Sequence, residues 1–215
     1  MTSRFPFYYG YVIVAASTII MMVAWGTYLS YGIFFDSLIL DFNWSRAVTS
    51  GTFSVSTIVS GFLGIITGRL SDRLGPRAIT LFFSATLGVG FILLSFINAP
   101  WHIYLIYAIP ISIGVSGTWS PLVSTVARWF VSKRGLMTGL VTSGIGVGGI
   151  IFSPVISQFI QVYGWRNAYI FIGVIVLVVV AICSQFLRRD PSQLGLAPYG
   201  QDSNIKISKP TSSNF

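Results

Sequence analysis

Long stretches of this chain carry no charge, and short polar clusters separate them. Residues 5–35 hold 31 positions without Asp, Glu, Lys or Arg, residues 47–68 hold 22, residues 78–127 hold 50, residues 135–165 hold 31 and residues 167–187 hold 21. About 20 residues of apolar helix cross a bilayer, so each run can span one. The 50-residue run is broken by Asn98-Ala99-Pro100, a turn signal, and restarts with the interface-type residues Trp101, His102 and Tyr104. It therefore makes two crossings. The pattern predicts an all-α, polytopic membrane protein with six transmembrane helices over 8–35, 46–68, 78–97, 101–127, 135–160 and 167–187. Residues 188–215 read as a cytoplasmic and largely disordered tail, because Pro191, Pro198, Pro210 and the Ser/Asn/Lys-rich end from Ser203 follow no apolar period.

Composition narrows the class. Hydrophobic residues make up 53% of the chain and charged ones 8%, against about 25% charged in soluble domains, which excludes a solvated globular protein. The first run is too long and too weakly flanked for a cleavable signal peptide and is expected to remain as the first helix. The net charge of +8 comes from 13 Lys+Arg against five acids, all of them aspartate. A nucleic-acid partner would need those cations gathered on one face, whereas here they sit between the apolar runs.

Their sidedness sets the orientation. Arg4, Arg69, Arg73, Arg77, Arg128, Lys133, Arg134, Arg188, Arg189, Lys206 and Lys209 fall on one side, and Arg46 and Arg166 on the other. The positive-inside rule makes both termini cytoplasmic, in a plasma or cell inner membrane. One cysteine, Cys183, makes no intramolecular disulfide.

The chain also repeats itself. Gly75-Pro76-Arg77 precedes the third helix as Gly164-Trp165-Arg166 precedes the sixth, 89 positions later. Arg46-Ala47 opens the second helix as Arg134-Gly135 opens the fifth, 88 positions later. Two matches at nearly one offset indicate a duplicated three-helix unit. Three crossings are an odd number, so the second copy lies inverted in the membrane.

The most distinctive stretch is Gly68-Arg69-Leu70-Ser71-Asp72-Arg73-Leu74-Gly75-Pro76-Arg77. An aspartate between two helices can cap a helix N-terminus or pair with arginine, forming a latch that depends on helix arrangement. Equally, Asp72 could simply balance charge in a solvated loop. This stretch resembles the signature loop of the major facilitator superfamily, Gly-x-Leu-Ala-Asp-Arg-x-Gly-x-Arg, with Ser71 in place of the alanine. Arg128-Trp129-Phe130 with Lys133-Arg134-Gly135-Leu136, Ser30-Tyr31-Gly32-Ile33-Phe34-Phe35, and Arg188-Arg189-Asp190-Pro191 resemble its monocarboxylate and oxalate/formate branch.

The resemblance implies half of a twelve-helix fold, with substrate held between two six-helix bundles. It implies alternating-access transport of a small solute such as an organic anion, with Gly68, Asp72, Arg73, Gly75 and Arg77 as a conformational latch that Arg128 could join. The partner bundle would lie on a missing C-terminal half, on another chain or on a second copy, and the six helices alone are expected to transport poorly or not at all. The competing reading is a non-transporting subunit or fragment that associates with a full-length transporter.

No Asp, Glu, Lys or Arg lies mid-membrane, where one costs about 2.5–3.5 kcal/mol and marks an ion or substrate path. The candidate path lining is therefore Thr27, Tyr28 and Tyr31 of the first helix and Trp119 and Ser120 of the fourth. For the tyrosines, ordinary packing or an interfacial belt is the alternative. Gly144-Ile145-Gly146-Val147-Gly148-Gly149 matches a dinucleotide pattern but lies inside an apolar helix rather than between strand and helix. Gly135, Gly139, Gly144 and Gly148 are expected instead to let the fifth helix approach a neighbour closely. Pro110, Pro121 and Pro154 permit kinks. His102 has no companions for a metal site, Asp36 and Asp41 read as solvated, and Asn43-Trp44-Ser45 reads as an accidental sequon. No cofactor is predicted. Without glutamate, and with one histidine and no embedded aspartate, neither a metalloprotease nor an aspartyl site can be assembled, so no enzyme is predicted.

Overall fold

The computed structural model describes residues 8–200, apart from the side chain of Asp72. Arg4, Lys206, Lys209 and residues 203–215 lie outside the described residues. Among the described residues, six helices are long and apolar enough to cross a membrane: α1 (Gly10–Phe42), α2 (Arg46–Leu74), α3 (Pro76–Leu94), α4 (Pro100–Trp129), α5 (Arg134–Tyr163) and α6 (Trp165–Ser184). No strand occurs among the described residues, only an isolated bridge between Phe130 and Tyr199. One end of the bundle carries the described arginines of the α2–α3 turn, the α4–α5 turn and the segment after α6. We call it the basic end.

Local chemistry explains where the helices start, stop and bend. Ser45 caps α2 by accepting from the Val48 N–H at 3.2 Å, so the serine of the apparent sequon has a structural use. Pro76 and Pro100 occupy first-turn positions of α3 and α4, where a missing N–H costs nothing. α1 runs past residue 35, to Phe42, because it is two pieces, Gly10–Leu29 and Tyr31–Phe42, articulated at Ser30. The Ser30 hydroxyl bonds its own helix at Gly26 O, 2.8 Å away, and Gly32 follows closely, a Ser/Gly combination that kinks helices. In α4 the chain widens into a π-turn over Tyr107–Ile111 around Pro110. The hydroxyl of Ser112 lies 2.6 Å from the Tyr107 carbonyl and 2.9 Å from Ser56 Oγ of α2, satisfying backbone that the proline disturbs.

The three-helix repeat is visible in backbone conformation. Gly75 (φ 85°, ψ 154°) and Gly164 (φ 80°, ψ 160°), 89 positions apart, turn the chain identically between α2 and α3 and between α5 and α6. Each donates its N–H to the carbonyl four residues earlier, Ser71 at 3.0 Å and Ile160 at 2.9 Å. Packing follows the same exchange: α1 lies along α5 as α4 lies along α2, α1 touches α6 as α4 touches α3, and α3 pairs with α6. Two inverted three-helix units therefore share one core, whose fully buried members include Ile20, Leu87, Tyr107, Trp129, Tyr169 and Val176.

Apolar surface gains nothing by leaving lipid, so helix association relies on small residues and hydrogen bonds. A Cβ on Gly148 would run into the Met22 carbonyl, and one on Gly144 would lie 2.7 Å from Thr18 O. Gly135 and Gly139 have open space around them, so the expected packing series is confined to Gly144 and Gly148, which lie on the buried stripe of Met137, Val141, Phe152 and Ile156, while Gly135 and Gly139 lie off it. Gly88 and Gly173 make a second backbone contact: a Cβ on Gly173 would lie 2.7 Å from Gly88 O.

Two expectations change at the ends. Asp41 is not merely solvated: it accepts from Trp165 Nε1 at 2.6 Å and pairs with Arg166 at 3.7 Å, joining the end of α1 to the start of α6. The segment after α6, expected to be disordered from residue 188, is folded over residues 188–200. It forms a short 3₁₀ turn over Pro191–Leu194 and then crosses α4, with Tyr199 N–H on Trp129 O at 2.9 Å and the N–H groups of Val131 and Ser132 on Tyr199 O at 3.0 Å. Tyr8 closes the arrangement, its hydroxyl 3.0 Å from both Trp129 O and Ala197 O. Burial pushes the Tyr8 phenol above its ordinary pKa.

Gly148→Ala should lower the thermal unfolding midpoint of the detergent-purified protein, since overpacking costs about 1–3 kcal/mol. Gly139→Ala should leave that midpoint unchanged. Equal shifts for the two variants would refute the assignment of the α1–α5 contact.

Candidate functional site

α1, α2 and α4 form one side of the bundle, and a recess of about 380 Å³ opens between them at mid-span. Its walls are Trp25 of α1, Thr57, Ser60, Gly61 and Gly64 of α2, and Val115, Ser116, Trp119 and Ser120 of α4. Only 11% of the α2 span is buried, against 61% for α1 and 56% for α4, so the side carrying the recess is not covered by other helices. Gly61 and Gly64 have nothing within 4 Å of a built Cβ, which leaves the α2 wall open.

The polar groups here have distinct occupations. Trp25 donates Nε1–H to Thr118 Oγ1 at 3.1 Å, tying α1 to α4, and meets the Trp119 ring edge-on at 5.5 Å. Thr57 and Ser60 donate to carbonyls of their own helix, Phe53 at 2.9 Å and Thr57 at 3.0 Å, and Ser116 to Ile113 O at 2.7 Å. Such back-bonding leaves the hydroxyl oxygens of Ser60 and Ser116 available as acceptors, whereas that of Thr57 also lies 3.3 Å from the Tyr28 hydroxyl. Trp119 is 42% exposed, and among the described residues its indole N–H and the Ser120 hydroxyl have no hydrogen-bond partner. No ionisable side chain lines the recess. The arrangement can bind a small solute by hydrogen bonds and ring contacts, but it supplies no charge.

The expected path residues thus divide. Trp119 and Ser120 border the recess. Thr27 is buried with its hydroxyl on Val23 O and Ala24 O, at 2.7 and 3.1 Å. Tyr28 and Tyr31 turn from the recess into the α1–α2 contact, stacked on Phe53 at 5.0 and 5.6 Å. Tyr28 reaches Ser56 at 3.3 Å, and Tyr31 reaches Thr52 at 2.7 Å and the Thr49 carbonyl. Trp25 of α1 and Thr57 and Ser60 of α2 went unrecognised in the sequence. Their signals were present, a tryptophan three positions before Tyr28 and a polar and glycine stripe at 57, 60, 61 and 64 in an otherwise apolar run.

The residues of the distinctive loop lie at the basic end. Gly68 faces α4, where a Cβ would meet Ser120 Oγ at 3.1 Å, and Gly75 makes the positive-φ turn. Arg73 and Arg77 are exposed and line a recess with the segment after α6, Arg77 donating to the Gln185 side-chain carbonyl. Arg128 ends α4, outside that recess. The Asp72 side chain lies outside the described residues. No cluster of three potential metal ligands occurs among the described residues.

The model of the Major Facilitator Superfamily matches residues 7–211. The chain belongs to the major facilitator superfamily. Monocarboxylate transporter 13 of Rattus norvegicus is 28% identical over 180 residues, covering 84% of this chain and 42% of the relative. The oxalate:formate antiporter of Oxalobacter formigenes is 25% identical over 83% of this chain and 42% of its own length. The riboflavin transporter RibJ of Trypanosoma brucei brucei is 28% identical over 86% of this chain and 35% of its own length. A crystal structure of a bacterial homologue of the human lysosomal transporter Spinster, inward-facing and unoccupied, superposes with a TM-score of 0.74 at 15% identity. It matches 97% of this chain and 48% of its own, a likeness of fold. The chain thus spans less than half the length of these relatives, as a six-helix half of the superfamily fold.

In a Cys183→Ser background, Ser60→Cys and Ser120→Cys should react readily with a hydrophilic methanethiosulfonate reagent, whereas Ser56→Cys, buried against Ser112, should not. Labelling of all three at one rate would contradict an aqueous recess bounded as described.

Proposed function

We propose that this chain forms the N-terminal bundle of a secondary transporter that carries a small organic anion, such as a monocarboxylate, by alternating access. The observation that carries the proposal is the mid-membrane recess between α1, α2 and α4, with the unpartnered Trp119 N–H and Ser120 hydroxyl on the uncovered side of a facilitator half-fold. A second six-helix bundle, whether on the same polypeptide or another, would close that side. The names of the relatives support an organic anion, with the riboflavin transporter marking the breadth of the family.

The chemistry divides between the halves. Indole N–H and serine O–H donors orient a carboxylate, and hydrogen bonds to a charged partner are the stronger kind. No cation lines this half of the recess, so the balancing positive charge comes from the opposing bundle. Rocking of one bundle against the other then exposes the recess to alternate sides. The basic end faces the cytoplasm of a plasma or cell inner membrane, and Asp72, with Arg73, Arg77 and Arg128, stabilises one orientation as a latch.

Uptake of radiolabelled lactate and oxalate by the full-length protein in proteoliposomes tests the reading. Trp119→Phe keeps the ring and removes the donor, and it should raise KM roughly tenfold, the loss expected for one hydrogen bond to a charged group. An unchanged KM removes Trp119 from the binding site, and an absence of uptake of any small anion by the unmodified protein overturns the substrate class. Asp72→Asn should shift the balance of inward and outward accessibility, read by cysteine labelling from each side. Unaltered accessibility and uptake would refute the latch.

A further inference from the structure

A second recess lies at the basic end, between the start of α3 and the segment after α6, with a volume of about 460 Å³. Four arginines line it: Arg73 and Arg77 from the α2–α3 turn, Arg188 and Arg189 beyond α6. Arg77 is held in place by the Gln185 side-chain carbonyl, and Gln185 in turn donates to Ala181 O at 3.2 Å. The one described carboxylate at this place is Asp190, 3.4 Å from Arg189 Nε, a nitrogen that is buried without a hydrogen-bond partner. Among the described side chains the four arginines outnumber that carboxylate, and Arg188 and Arg189 are half-buried. The α3 N-terminus, which has no side-chain cap, adds its positive end to the same place.

The lower wall of the recess is apolar. Pro76 and Leu187 are buried beneath it, and Leu81 continues the wall down α3. Below the arginines the surface carries exposed Leu81 and Phe82 on α3, Ile182 on α6 and Phe186 just beyond it. The apolar spans of α3 and α6 end here, at Pro76 and Ser184, so the guanidinium groups stand at headgroup level and the apolar surface at acyl level.

From this juxtaposition we infer that the recess is a binding site for the phosphate headgroup of an anionic phospholipid, whose chains lie along α3 and α6. Arginine forks suit phosphate oxygens, and basic pockets between membrane helices take such headgroups. A freely soluble phosphate would use the arginines and leave the apolar wall without a purpose. The site shares Arg73 and Arg77 with the proposed latch but lies apart from the recess between α1, α2 and α4, so its failure would leave the reading of that recess standing.

Native mass spectrometry of the full-length protein, released from phosphatidylcholine nanodiscs with and without phosphatidylglycerol, tests the inference. The unmodified protein should retain phosphatidylglycerol in preference to phosphatidylcholine, and Arg188→Gln/Arg189→Gln should reduce that preference on the order of tenfold. Lys133→Gln/Arg134→Gln removes the same charge at the same end but outside the recess, and it should keep most of the preference. Equal loss in both double variants would show a general surface-charge effect and overturn the site, as would equal retention of the two lipids by the unmodified protein. Displacement of bound phosphatidylglycerol by glycerol 3-phosphate or inorganic phosphate would assign the site to a soluble anion and overturn the lipid. If the arginine variant does not fold, the unmodified protein still decides: its thermal midpoint should be higher in phosphatidylglycerol than in phosphatidylcholine, and equal midpoints count against the site.

Discussion

The backbone contact between α1 and α5 governs the position of everything on the open side of the bundle. Gly26 and Gly148 meet so closely that a Cβ on Gly26 would lie 2.7 Å from the Gly148 Cα. In a medium where burying apolar surface gains nothing, close packing is what holds two helices in register. Trp25 is the residue next to Gly26, and its indole bonds Thr118 of α4. The α5 glycines therefore set the depth of α1, α1 sets Trp25, and Trp25 sets one wall of the recess. Ser112, bridging the π-turn of α4 to Ser56 of α2, fixes the opposite walls in the same way.

Duplication supplies the frame, and divergence supplies the chemistry. Gly75 and Gly164 turn the chain identically, yet the arginines two positions after them have opposite surroundings. Arg166 lies over the rings of Phe42 and Trp165, 5.8 and 4.3 Å from their centroids, and pairs with Asp41, so its charge is spent on closing the bundle. Arg77, at the basic end, is exposed and donates to the Gln185 side-chain amide. Inversion of the second repeat places these two arginines at opposite ends of the bundle, one structural and one exposed.

Much of the fold is legible in the sequence because a bilayer is a severe solvent: a charge-free run of the right length has few other destinations. The six spans, the repeat at 88–89 positions and the Gly144/Gly148 contact follow from that. What escaped depends on contacts between distant residues. The folded segment at 188–200 has no apolar period, and it is held by Tyr8 and Trp129, which are 121 positions apart in the chain, and by Tyr199 pairing with Phe130. Tyr28 and Tyr31 do share a helix face, but Phe53 decides that the face packs against α2 and not into the recess. In α2, hydroxyl and glycine positions facing α4 and positions facing the recess look alike in sequence, and only the placement of α1 and α4 separates Ser56 from Ser60.

A substrate-bound structure in a lipid nanodisc decides whether the recess between α1, α2 and α4 holds the transported anion. Ligand density should touch Trp119 and Ser120 on one side and a second six-helix bundle on the other, with a cation of that second bundle at the carboxylate. Ligand density away from α1, α2 and α4, or lipid in place of protein against their open side, would contradict that role.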